Sequence, residues 1–205
     1  GGGRAVKKKA VVKAKATTMG PELRALTFKG PELAAAILGK QKRIENRTWP
    51  LSIPGQWLAL HVAAGKYTPP WIRKYVMRAW DPEKAKTGPQ PQRWWDPADR
   101  HSKHLPPRAA IVGIMRFRGM HRLKRGEKSA DPWALGPLCW ELDRVVPLEP
   151  PILNVDGALG LWRVDKMLGP GQLRRLKEAV RDAKSAPGAG KYQVKKKKRS
   201  NPRSE

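Results

Sequence analysis

Apolar and polar residues alternate over residues 23–28 (LRALTF), a period of two that predicts a first strand. Gly30-Pro31 then breaks the alternation. Proline suits the first turn of a helix, so the alanine-rich run over 31–39 predicts a short helix closed by Gly39, with Leu33, Ala36 and Ile37 facing the core. Residues 42–49 (KRIENRTW) and 56–63 (QWLALHVA) predict two more strands, with Pro54-Gly55 as the turn between them. The proline pair Pro69-Pro70 opens a helix over 67–80, whose apolar positions at helical spacing are Trp71, Tyr75 and the Met77/Arg78 boundary.

From 81 to 107 the chain is rich in Pro, Lys, Asp and Gln around Trp94-Trp95, which predicts a long insertion loop. The most apolar strand follows at 108–120 (RAAIVGIMRFRGM), then strands at 138–148 (LCWELDRVVPL) and 157–164 (GALGLWRV). A last amphipathic helix over 169–184 sets Leu173, Leu176, Ala179 and Val180 on one face. Five to six short strands, one helix after the first and another near the end predict an α+β fold: a small β-barrel flanked by helices.

Charge changes the picture at both ends. The 205 residues carry a formal net charge of +26. Residues 1–20 hold six Lys/Arg and no acid, and 186–205 hold seven and one acid. Neither stretch has a periodic apolar face, so both read as disordered basic tails around a domain at 21–185. Thirty basic and 16 acidic side chains remain inside that domain. An excess that persists in the folded part points to a polyanionic partner, nucleic acid before a solvated or acidic-protein-facing surface, and tails that would order only on RNA suggest a structural component of a ribonucleoprotein particle as a further reading. No basic helix has a strongly apolar opposite face and no stretch approaches the roughly 20 apolar residues of a membrane span, so no membrane partner is expected. The single Cys139, in an apolar setting, allows no internal disulfide and reads as a small buried residue in an intracellular protein. KKKKR at 195–199 suits a nuclear address and a nucleic-acid-binding tail equally, so nuclear, cytoplasmic and organellar locations stay open.

The chemistry concentrates in residues 38–50, LGKQKRIENRTWP. On a strand, Arg43, Glu45, Arg47 and Trp49 share one side and Ile44, Asn46 and Thr48 the other. The bland reading is a solvated edge with an ion pair worth at most about 1 kcal/mol. The alternative is a strand whose polar side lines a cavity. Glu45 as acceptor and Arg47 as donor fork would then read the edge of a planar ligand, with Trp49 or Trp140 beneath it.

Lys42, Glu45 and Arg47, followed by Trp49-Pro50 and by a strand carrying His61, resemble the signature of the ASCH family, a branch of the PUA-like β-barrel superfamily. GPLCWEL (136–142) and GALGLWRV resemble later strands of that family, so the likeness spans about 23–164. Gly39 stands three residues before Lys42 where the family has it two before, and Gly30-Pro31-Glu32 replaces a Gln-Pro-Trp opening.

The resemblance implies a PUA-like domain; a monomer without a cofactor or metal is expected. It would bind RNA and hold a base or modified base among Lys42, Glu45, Arg47, Trp49, His61 and Trp140. Arg116, Arg118, Lys124, Arg125, Lys195, Lys196, Lys197, Lys198 and Arg199 are the phosphate contacts expected beside it. Some relatives are hydrolases of RNA or of acylated nucleosides. In one branch a threonine nucleophile occupies the position of Glu45, which cannot act that way; an acid/base set of Lys42, Glu45 and His61 is what a hydrolase here would use. His101 and His104, with no cysteine or acidic cluster close by, read as solvated loop residues rather than metal ligands.

Overall fold

A computed structural model describes residues 22–81 and 104–187. The basic arm 1–20, the heart of the 81–107 insertion with Trp94, Trp95 and His101, and Lys195 to Arg199 lie outside the described residues. Six strands form one mixed sheet: β1 (Arg24–Phe28), β2 (Ile44–Arg47), β3 (Trp57–Val62), β4 (Ala110–Arg122), β5 (Leu138–Ile152) and β6 (Leu161–Arg163). They lie in the order β2-β5-β4-β3-β1-β6 and curl into a half-barrel, so the fold is α+β. Only β1 and β3 run parallel, Leu26 facing Leu60 and Thr27 facing His61.

Two cores follow from alternation along the strands. Leu58, Leu60 and Val62 of β3 pack with Leu26 and Phe28 toward α1 (Pro31–Leu38) and α2 (Pro70–Ala79). Trp57 and Ala59 point the other way, with Ala25, toward α3 (Pro170–Ser185), which seats Leu176, Val180 and Ala183 there. On β4 this alternation survives an extra residue: Leu60 faces Gly113 and His61 faces Ile111, leaving Val112 as a bulge. All eight residues of α1 are buried, Glu32 among them, its carboxylate accepting from the Thr68 hydroxyl at 2.5 Å. Gly30 enters it at φ 131°, and a Cβ there would stand 2.6 Å from Thr68.

Three expectations change. Pro54-Gly55 does not close a β2–β3 hairpin: Gly55 donates to the carbonyl of Phe117, and β2 instead pairs antiparallel with β5 at the far edge. In α2 the buried stripe is Ile72, Val76 and Ala79, while Trp71 is 64% and Met77 53% exposed. Of residues 157–164 only Leu161–Arg163 is strand; the glycines before it form a loop. No helix among the described residues is long and apolar enough to cross a membrane.

Candidate functional site

The parallel pair β1/β3 ends where α1 begins, and a cavity of about 660 Å³ opens there. Its walls come from separate parts of the chain: Leu26 to Lys29, Leu33 of α1, Glu45 to Arg47, His61 with Ala63 and Ala64, Trp71 and Ile72 of α2, and the loop Asp156 to Gly160. A volume of this size suits a small planar ligand.

Glu45 is the hub of its polar wall. One carboxylate oxygen lies 2.9 Å from Lys42 Nζ and the other 2.9 Å from Arg47 Nη2. Lys42 is almost wholly buried; its ammonium also donates to the Ile44 carbonyl and stands 6.0 and 5.8 Å from the Tyr75 and Trp133 ring centres. That cation is spent beneath the wall and does not line the cavity. Arg47 does line it, lying over Phe28 at 6.0 Å and Trp49 at 5.8 Å, and its buried Nε has no hydrogen-bond partner. A carboxylate has about four lone-pair positions. Glu45 therefore still offers acceptors next to an unused Arg47 donor.

Asn46 fastens this wall. Its Nδ2 donates to the carbonyl of Trp133 at 2.9 Å and to Tyr75 Oη at 3.3 Å, and its Oδ1 accepts from the backbone N–H groups of Leu135 and Gly136. Tyr75 donates to the same Trp133 carbonyl at 2.6 Å, and burial pushes its phenol well above the usual range. Cys139, buried below, has its thiol pushed up by burial as well.

His61 sits at the opposite wall with no exposed surface. Nε2 donates to the Val155 carbonyl at 2.8 Å, and Nδ1 lies 3.1 Å from the Thr27 oxygen, whose one hydroxyl proton also has the Ala158 carbonyl in reach at 3.2 Å. Trp162 donates its indole N–H to the same Thr27 oxygen at 2.9 Å. Burial lowers the imidazole's pKa more than the Val155 carbonyl and Asp156 raise it, so the ring is neutral near pH 7. Gly157 is pressed against this pair: a Cβ would lie 2.5 Å from His61 Cε1 and 2.7 Å from Thr27 Oγ1.

The sequence-predicted residues separate into groups. Glu45, Arg47 and His61 share the cavity lining; Lys42, Trp49 and Trp140 do not. Trp140 is fully buried, its ring edge-on to Trp49 at 4.5 Å and to Phe117 at 5.5 Å, so it has no face to give a ligand. Lys42, Glu45 and His61 are not brought to one surface as an acid/base set. Arg116 is 9% exposed and holds Asp143 through two hydrogen bonds of 2.6 and 3.1 Å, which removes it from phosphate contact. Arg118 is exposed but tied at 2.6 Å to Glu141, which also accepts from His121. Burial raises the Glu141 pKa, but those two bonds outweigh it and hold the carboxyl below its usual value. Lys124 and Arg125 stand exposed on the following turn, and His104 is exposed. No group of three or more His, Cys, Asp or Glu among the described residues is placed to hold a metal.

The lining also holds Asn46, Trp71, Asp156 and Gly157, which sequence reasoning passed over. Asn46 lay inside the quoted E-N-R run. Nothing in the sequence joined residues 156–160 to residue 45. No protein-family model matches the chain, and a search of curated proteins returns no match either.

Proposed function

We propose that this chain is an RNA-binding domain of the PUA-like ASCH type that takes one base, plain or modified, into the cavity bounded by Glu45, Arg47, Phe28 and Trp71. The observation that carries the reading is the side-by-side acceptor and unpartnered donor of Glu45 and Arg47. A buried N–H without a partner costs about 1–3 kcal/mol, and a base edge would recover it. Leu26, Phe28, Leu33 and Ile72 supply the apolar lining around the space a base would fill. The formal charge of +26 supplies long-range attraction for the phosphates.

The test is calorimetric titration with the free nucleosides, common and base-acylated, which carry no phosphate. Binding of one base over the others, weakened about tenfold or more in Arg47→Gln, is the expected result, since a hydrogen bond to a charged group contributes about 1.5–3 kcal/mol. Equal binding of every nucleoside, unchanged in Arg47→Gln, refutes it.

A further inference from the structure

The outward side of α2 carries features that the cavity alone does not use. Trp71, Lys74 and Arg78 stand at i, i+3 and i+7, on one helix face turned away from Ile72, Val76 and Ala79. All three are exposed, and Trp71 is 64% exposed although it lines the cavity, which places its indole at the mouth. Leu159, 94% exposed, lines the same cavity. Neither Lys74 nor Arg78 makes an ion pair or hydrogen bond among the described residues, whereas Arg73, on another side of the helix, reaches Glu32 at 3.6 Å. Two free cations thus continue in line from an exposed indole at the cavity entrance, over a rise of about 10 Å.

We infer that the outer face of α2 is the track for the single strand that flanks the captured base: Trp71 stacks the neighbouring base, and Lys74 and Arg78 receive the phosphates beyond it. The occupant is single-stranded RNA because the face alternates what such a strand presents, a flat apolar ring and then negative charge at intervals. A purely acidic protein segment would use the cations and leave the indole idle. A membrane would require the apolar side of the helix, which is already packed in the core. The inference rests on the base-binding reading, from which it takes the position of the first nucleotide.

The experiment uses the full chain and two probes: a fluorescent 12-nucleotide RNA followed by anisotropy, and the free nucleoside by calorimetry. Lys74→Gln with Arg78→Gln should weaken RNA binding roughly 10- to 25-fold near 0.1 M salt and reduce the slope of log affinity against log salt by about 1.4, two phosphates at 0.7 each. Nucleoside binding should stay unchanged. Arg174→Gln with Lys177→Gln removes the same charge from α3, on the other side of the sheet, and should change RNA affinity less than about threefold if only long-range attraction is lost. An unchanged RNA affinity in the α2 pair, or equal losses in the α2 and α3 pairs, overturns the track while leaving the cavity reading to its own nucleoside titration. Polyglutamate competing as well as RNA overturns it too. Absence of nucleoside binding in the unsubstituted chain refutes the cavity reading instead.

Discussion

Replacing Glu45 by alanine removes the carboxylate that faces the buried Lys42 ammonium. Lys42 is 2% exposed and Glu45 12%, their atoms 2.9 Å apart, so water reaches this pair poorly. After the substitution the ammonium keeps only the Ile44 carbonyl and the faces of Tyr75 and Trp133. Removing one partner of a buried pair costs about 3–5 kcal/mol, because the remaining charge is stranded. At roughly 2–4 °C per kcal/mol for a chain of this size, the melting temperature should fall by about 6–20 °C. Urea unfolding followed by tryptophan fluorescence measures this directly. Lys42→Met with Glu45→Gln replaces both charges by groups of similar shape and should recover much of the loss, because an uncharged pair of matched volume is often neutral. A Glu45→Ala chain within about 1 kcal/mol of the parent, the range of solvent-exposed pairs, would refute the buried-pair argument. It also follows that Glu45→Ala is a poor probe of binding, since loss of affinity and loss of fold would be confounded. Arg47→Gln leaves the Lys42–Glu45 pair intact.

Four further outcomes are expected. His61 has a lowered pKa in the folded chain, so below its ordinary 6.5 the unfolded state binds more protons; stability should drop as pH falls from 7 toward 5, and less steeply in His61→Gln. Melting curves across that range with identical slopes in both chains would contradict it. Gly157→Ala drives a methyl into His61 and Thr27 and should cost about 1–3 kcal/mol while weakening nucleoside binding; calorimetry and melting showing neither would remove Gly157 from the site. Arg116→Met should lower stability by leaving Asp143 unpaired yet leave RNA affinity unchanged, whereas Lys124→Glu with Arg125→Glu should lower RNA affinity in the anisotropy assay without shifting the melt.

The helix starts and the strands were legible because local chemistry sets them. Pro31, Pro70 and Pro170 each open a helix, and alternation in 56–63 marks β3. The polar wall was partly legible for the same reason: Glu45 and Arg47 stand on one side of a short strand. What local pattern cannot supply is partner choice. The α2 segment holds two stripes at helical spacing, Trp71/Tyr75/Arg78 and Ile72/Val76/Ala79, and periodicity alone ranks neither; packing against α1 selects the second. Trp140 and Trp71 are chemically the same residue, yet one is sealed between Trp49 and Phe117 while the other stands at a cavity mouth. Pairing of β2 with β5, over 90 residues away, is invisible for the same reason.

That last pairing governs when the pocket can exist at all. Among the described residues β2 has no neighbour in the sheet except β5, and the cavity lining is completed by Asp156 to Gly160, so the hollow is among the last things the chain can build. During synthesis the early half would leave the ribosome with its Glu-Asn-Arg edge undocked and its recognition groups scattered. Capture of a ligand would thus report a finished molecule, and any break between residues 81 and 138 that separated the halves would abolish recognition without touching a single residue of the lining.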